Sequence, residues 1–236
     1  MKKNKANSEL SELEAPVELA DYHDYGNLTH FVFFCLYYFI YCLVWTLPQP
    51  AEIKIIVDLP LLLIVVFIYR KVLLRDAEVF AKHLGKYLIF VIFWFALYVS
   101  FDALGELLNG LIVAGASPNA AAIIPVFEKS KLLTFLCVVL CAPIMEELMF
   151  RRVFKLLLKE RHFLYYLLSS LVFGFAHIVI DFSFPFSFLY IFSYVVSGLS
   201  LALVYDKSNN IICPILIHML LNLTIIIRLV FGGISF

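Results

Sequence analysis

Long apolar runs alternate with short polar segments along most of this chain. Seven runs approach the roughly 20 apolar residues that a helix needs to cross the hydrocarbon core of a bilayer. They cover residues 28–47, 53–69, 84–104, 131–150, 163–182, 186–205 and 211–231. A short or re-entrant piece around 106–127 is an eighth candidate. The pattern predicts an all-α, polytopic membrane helix bundle.

The fourth run predicts a helix that extends beyond its most apolar part. A helix from Lys131 to about Arg161 would be roughly 45 Å long, which matches a bilayer with its headgroups. Glu146 then lies at the midpoint of this helix. By the same count, His177 and His218 lie at a similar depth in later helices, so the three side chains are predicted to converge near mid-membrane.

Basic residues concentrate on one side of the predicted bundle. If the N-terminus is cytoplasmic, most of the 18 Lys and Arg residues fall in cytoplasmic segments, as the positive-inside rule requires. We divide the chain into a polar cytoplasmic tail at 1–26, the first three spans and a loop at 27–130, and a core of four spans at 131–232.

The composition agrees with a membrane protein and excludes some partners. Hydrophobic residues make up 63% of the chain and charged residues only 15%, unlike an ordinary soluble domain. The formal net charge is zero, so no basic surface indicates nucleic acid. The five cysteines form no C-x-x-C pair and are interpreted as buried, inert thiols. Abundant Phe, Ile, Lys and Asn favour a low-GC bacterium, and therefore a plasma membrane.

Several polar side chains interrupt the most apolar runs. A charged group at bilayer depth costs several kcal/mol by most scales, roughly 2.5 or more, so it normally faces a partner or a wet cavity. Such residues are functional-site hypotheses by default. In this chain they are Glu146, Glu147, Arg151, His177, His218 and Asn222.

The first polar cluster combines two carboxylates with an arginine. Glu147 and Arg151 are four residues apart and share a helix face, which predicts an ion pair. Glu146 points about 100° away and has no partner on its own helix. One carboxylate is thus predicted to be a fixed charge and the other a working base. Pro143 is expected to free the carbonyl of Val139 and to kink the helix one turn before Glu146.

Two further clusters show the same spacing. Phe173 precedes His177 by one helical turn, and Asp181 follows it by one turn, where it could orient the imidazole or cap the helix. His218 and Asn222 form a second pair on one helix face. Taken singly, each motif also fits a satisfied core histidine or interhelical hydrogen bonds that hold the bundle together.

The three clusters together resemble the CPBP, or Abi, family of intramembrane proteases, relatives of the type II CAAX prenyl endopeptidase. The resemblance covers about residues 131–230, and the first hundred residues carry no motif. The family is defined by E-E-x-x-x-R, F-x-x-x-H and H-x-x-x-N in this order, present here as Glu146-Glu147-x-x-x-Arg151, Phe173-x-x-x-His177 and His218-x-x-x-Asn222.

The resemblance implies a peptidase mechanism at these positions. Glu146, helped by His177, would polarise a water molecule for attack on a scissile carbonyl. His218 and Asn222 would donate hydrogen bonds to the developing oxyanion. The ion pair of the first motif would hold its helix in place. Considered apart from the resemblance, the same side chains also fit hydrolysis, because they supply a base, a second base or acid, and hydrogen-bond donors.

A catalytic metal is the alternative that the residues leave open. Glu146, His177 and His218 could bind a zinc ion, and the family is often labelled as metalloproteases. An amide oxygen such as that of Asn222 is a poor zinc ligand, and the chain has no H-E-x-x-H motif. The residues therefore favour metal-free hydrolysis.

The favoured function is an intramembrane endopeptidase with a peptide or protein substrate and the lipid bilayer as its partners. Two other classes compete with it. A proton-coupled transporter could use the carboxylate and imidazoles as a relay, although no internal repeat supports it. A non-catalytic immunity or scaffold protein could bind a peptide in the same cavity. If the peptidase is bacterial, we expect it to mature a pheromone or bacteriocin precursor or to act in self-immunity.

Overall fold

The computed structural model describes residues 26–46, 51–110, 118–178 and 187–231. Within these ranges the chain forms eight helices and no strand, which confirms the all-α prediction for the described residues. In chain order they are α1 (Asn27–Thr46), α2 (Ala51–Lys82), α3 (Leu84–Gly110), α4 (Pro118–Lys129), α5 (Lys131–Leu158), α6 (His162–Ile178), α7 (Ser187–Ser208) and α8 (Ile212–Phe231).

Some of the described helices are candidates for membrane spans. Two of them in the described part of the chain, α5 and α8, are long and apolar enough to cross a bilayer. Shorter apolar stretches occupy Asn27–Tyr41, Leu84–Ser100 and His162–Ile178. Large apolar side chains cover the outer faces of several helices, which suits contact with lipid. The bundle is consistent with a membrane protein, while the seven spans and the cytoplasmic N-terminus remain predictions.

The long α5 helix runs without interruption through the middle of the bundle. It ends at Leu158, close to the predicted end near Arg161, because Lys159 takes a positive φ of 48° that no regular helix allows. Two segments of α5 have π-helical hydrogen bonding, Phe135–Cys141 and Glu147–Val153. One turn of ordinary α-helix, Ala142–Glu146, separates them. Short π segments inside α-helices are frequent at functional sites.

The first π segment corrects the expected effect of Pro143. The N–H of Ala142 donates to the carbonyl of Cys137, five residues back. In this register the next acceptor is the carbonyl of Val138, and its donor would be residue 143, which as a proline has no N–H. The prediction that the carbonyl of Val139 is freed assumed an i−4 register, whereas the π register leaves the carbonyl of Val138 without a donor from residue 143.

The inward face of α5 forms the centre of the core. Met145, Leu148, Met149 and Val153 are all at most 1% exposed. Aromatic rings from α1 pack against the same helix, because the ring of Phe34 meets the rings of Phe150 and Phe154 edge-on at 5.7 and 5.2 Å. The motif-free N-terminal helices therefore form part of the wall around the motif-bearing helix.

Two glycines allow α6 and α7 to pack closely. A Cβ on Gly174 would lie 2.6 Å from Val195 Cγ2, and a Cβ on Gly198 would lie 3.0 Å from Ser170 Cα. The second contact is with backbone, which cannot turn aside as a side chain can. The small residues thus set the distance between α7 and the helix that carries His177.

The Gly198→Ala substitution should destabilise the bundle by about 1–3 kcal/mol, because the new methyl group must push α6 and α7 apart. Thermal unfolding of the purified protein in detergent measures the change. Gly85→Ala is the matched control, since a Cβ there meets nothing within 4 Å. Equal melting temperatures for the two variants would show that the close α6–α7 contact is not required.

Candidate active site

The ion pair predicted within α5 is present and lies in the interior. Arg151 Nε donates to Glu147 Oε2 at 3.1 Å, and both side chains are 0% exposed. Arg151 Nη1 also donates to the hydroxyl of Ser169 on α6 at 3.0 Å, and that hydroxyl donates to the carbonyl of Phe150 at 2.8 Å. Ser169 therefore links the second π segment of α5 to α6. Nε and Nη1 thus tie the buried guanidinium to α5 and α6, while Nη2 has no hydrogen-bond partner among the described residues.

The same carboxylate also holds a histidine from α8. Glu147 Oε1 lies 2.9 Å from His218 Nδ1. Since the Glu147 carboxylate is ionised beside Arg151 and can only accept, Nδ1 of His218 carries a hydrogen and donates it. This contact fixes the ring orientation and turns His218 Nε2 toward Glu146.

Glu146 sits between the two motif histidines. Its Oε2 atom lies 3.7 Å from His177 Nε2 and 3.9 Å from His218 Nε2. These distances are too long for direct hydrogen bonds, and this buried oxygen has no hydrogen-bond partner among the described residues. The structure thus brings Glu146, His177 and His218 together around one point. A buried carboxylate oxygen without a partner is uncommon and calls for a functional explanation.

The imidazole of His177 is held on three sides. Its Nδ1 donates to the carbonyl of Phe173 at 2.8 Å, because a carbonyl oxygen can only accept. The ring of Phe173 lies 4.2 Å away, and the ring of Tyr194 from α7 stacks on the imidazole at 4.9 Å. In the neutral ring, Nε2 is therefore the acceptor, and it faces Glu146.

Asn222 lies one turn beyond His218 and contacts α5. Its Nδ2 donates to the carbonyl of Val138 at 2.8 Å. The amide therefore links α8 to the first π segment of α5. This is the interhelical hydrogen bond that the sequence analysis gave as an alternative for the motif. One hydrogen of Nδ2 is used in this contact, and the oxyanion role expected for Asn222 stays a prediction.

The remaining predicted site residues are Phe173 and Asp181. Phe173 touches the site directly, because its ring also meets the imidazole of His218 at 6.0 Å and the guanidinium of Arg151 at 4.6 Å. Asp181, the proposed orienting residue for His177, lies outside the described residues. Sequence reasoning missed Tyr194 and the role of Ser169, since both act from other helices and no spacing rule connects them to the motifs.

The proposed metal site was compared with the geometry of the donor groups. In the described ranges, no group of three His, Cys, Asp or Glu side chains is placed to hold a metal ion. Glu146 Oε2 and the Nε2 atoms of His177 and His218 nevertheless face one point. The metal-free hydrolysis that the residues favour therefore stays a prediction.

The region that carries these side chains matches a known protein family. Residues 128–224 match the family described as type II CAAX prenyl endopeptidase Rce1-like, and all three motifs lie within the match. No curated protein and no solved structure shows significant similarity to the chain. The match confirms the resemblance to this protease family and supports, in general terms, a CAAX-protease-like intramembrane endopeptidase.

Proposed function

We propose that this chain, whose residues 128–224 match the type II CAAX prenyl endopeptidase Rce1-like family, hydrolyses a peptide bond within the membrane. The observation that carries the proposal is the position of Glu146. Its buried Oε2 has no hydrogen-bond partner in the described part of the chain and lies within 4 Å of two imidazole nitrogens. A carboxylate placed in this way is available for proton transfer, which a structural ion pair is not.

Glu146 and His177 act together on the attacking water. The carboxylate oxygen and the unprotonated Nε2 of His177 are both acceptors, so they cannot bond to each other directly. A water molecule against both would donate one hydrogen to each, which raises the nucleophilicity of its oxygen. As that oxygen attacks the scissile carbonyl carbon, one of its protons passes to this pair. The proton then goes to the leaving nitrogen, and the C–N bond breaks to give an amine and a carboxylic acid, which retains the second hydrogen of the water until it ionises.

His218 supplies the positive charge that the intermediate needs. Its Nδ1 is fixed by Glu147, so its protonated Nε2 can donate to the oxyanion that forms on the carbonyl oxygen. The pair of Glu147 and Arg151 maintains this geometry without taking part in proton transfer. A dry environment strengthens each of these interactions.

The substrate is proposed to be a peptide or protein segment that reaches the site from the lipid bilayer or its surface. The apolar outer faces of the bundle support this setting, as does the mid-membrane depth predicted for the motifs. We place the protein in a cell membrane, most simply the bacterial plasma membrane. Precursors of secreted signalling or antimicrobial peptides are the substrate class that this location favours.

The His177→Ala variant should reduce kcat by at least about 10²-fold, because it removes one of the two acceptors for the attacking water. The assay uses the full chain in proteoliposomes with a library of internally quenched fluorescent peptides. His162→Ala is the matched control, since this imidazole is 52% exposed at the first residue of α6. Wild-type protein that cleaves no peptide in the library would contradict the peptidase and leave a proton relay as the better use of the site.

The same cleavage assay with an added chelator tests whether a metal ion takes part in hydrolysis. Addition of EDTA or 1,10-phenanthroline should leave the cleavage rate of the wild type unchanged if Glu146 and His177 activate the water directly. A rate that falls with chelator and returns with added zinc would overturn the metal-free mechanism while leaving the endopeptidase activity in place.

A further inference from the structure

Pro143 on α5 and Asn222 on α8 together determine the hydrogen bonding of one backbone carbonyl, that of Val138. In the π register of Phe135–Cys141, the carbonyl of Val138 would accept from residue 143. The proline has no N–H, and the neighbouring N–H of Ala142 is used by Cys137. Val138 therefore has no donor within α5. Asn222 Nδ2 fills this position at 2.8 Å from α8.

An unsatisfied carbonyl in this place would be costly. Pro143 is buried, and the surrounding turn of α5 is flanked by apolar side chains. The hydrogen bond to the Val138 carbonyl is partly buried, and a backbone acceptor withdrawn from water without a donor carries a desolvation penalty. The proline thus creates a single acceptor on α5 that only a donor from outside the helix can satisfy. Asn222 is that donor, and its partner is 84 residues away in sequence.

This contact lies within reach of the proposed catalytic groups. His218 precedes Asn222 by one turn on the same face of α8, and Pro143 precedes Glu146 by three residues on α5. The contact between Asn222 and Val138 therefore sets the axial position of α8 against α5. That position determines whether His218 reaches Glu147 at 2.9 Å and approaches Glu146 at 3.9 Å.

We propose that Pro143 is a positioning residue that reserves the carbonyl of Val138 for Asn222 and thereby fixes His218 relative to Glu146 and Glu147. The catalytic role of Pro143 rests on the proposed function, whereas the contact between Asn222 and the Val138 carbonyl does not depend on it. With alanine at position 143, the new N–H competes for the Val138 carbonyl and the first π segment can relax toward an α-helix. Asn222 then loses its acceptor and α8 is no longer locked in register.

The first test is a thermal double-mutant cycle that needs no substrate. In the wild-type background, Asn222→Ala should lower the Tm by roughly 2–10 °C, because it leaves the Val138 carbonyl unsatisfied. In the Pro143→Ala background the same substitution should lower the Tm by less than half as much, since the backbone N–H now serves that carbonyl. Equal shifts in the two backgrounds would overturn the inference, whether or not the protein is a peptidase.

The second test uses peptide cleavage in proteoliposomes. Pro143→Ala should reduce kcat by about 10- to 100-fold with little change in KM, because it displaces His218 from the reacting atoms without removing a substrate contact. Pro60→Ala is the matched control, as Pro60 is an exposed proline inside α2. A Pro143→Ala variant with the kcat of the wild type would contradict the positioning role even if the wild type proves to be an active peptidase.

Discussion

Glu146→Gln should lower kcat roughly 10²- to 10⁴-fold, which is the range expected for loss of a general base. Glutamine keeps the size of the side chain and one acceptor oxygen but cannot take a proton from water. Since Glu146 Oε2 has no hydrogen-bond partner within the described ranges, the substitution breaks no structural contact of that atom. The melting temperature should therefore stay close to that of the wild type. Steady-state cleavage in proteoliposomes and a thermal scan measure the two quantities.

Glu160→Gln provides the comparison for this result. Glu160 lies in the turn after α5 with its side chain 92% exposed, so the same chemical change there should leave kcat unaltered. If Glu146→Gln cleaves as fast as Glu160→Gln, the carboxylate is not the base. If instead Glu146→Gln unfolds, the carboxylate has a structural role that the contacts around it do not reveal.

Arg151→Met should destabilise the protein by about 3–5 kcal/mol, because it leaves the carboxylate of Glu147 buried without its cation. Methionine fills much of the same volume, so the loss is mainly electrostatic. The substitution removes the hydrogen bonds that the guanidinium donates to Glu147 at 3.1 Å and to Ser169 at 3.0 Å. Reversible unfolding in mixed detergent and SDS would give the free energy of unfolding.

The companion variant separates charge from packing. Glu147→Gln combined with Arg151→Met removes both charges and should recover a large part of the lost stability. Arg161→Met, at an exposed position before α6, is the surface control and should have little effect. A double variant as unstable as Arg151→Met alone would mean that Arg151 contributes through its other contacts and not by neutralising Glu147.

Helical spacing accounts for the parts of the site that lie on one helix. The four-residue interval between Glu147 and Arg151 predicts their ion pair because such side chains lie one above the other on a helix. The same spacing places Phe173 under His177. Rise per residue was also sufficient to predict that α5 continues past Phe150 and that Glu146 lies near its middle. These inferences hold because they depend on local geometry alone.

Residue spacing could not predict the contacts between different helices. Nothing in the sequence pairs Glu147 with His218, which is 71 residues away, since the rotation of α8 against α5 is set by the packed core. The ring of Tyr194 reaches His177 only because α6 and α7 approach closely at their glycines. The π segment itself was also not predicted, because it shifts the register by one residue and has no sequence signature comparable to the i, i+4 pattern.

The most direct measurement of the central claim is a double-mutant cycle on kcat with Glu146→Gln and His177→Ala. If both groups act on one water molecule, their effects are strongly non-additive, and the double variant is about as slow as the slower single variant. Two independent roles would make the losses multiply, so that the double variant is slower than either single variant by the full factor of the other. That multiplicative result would contradict a shared water-activating pair between α5 and α6.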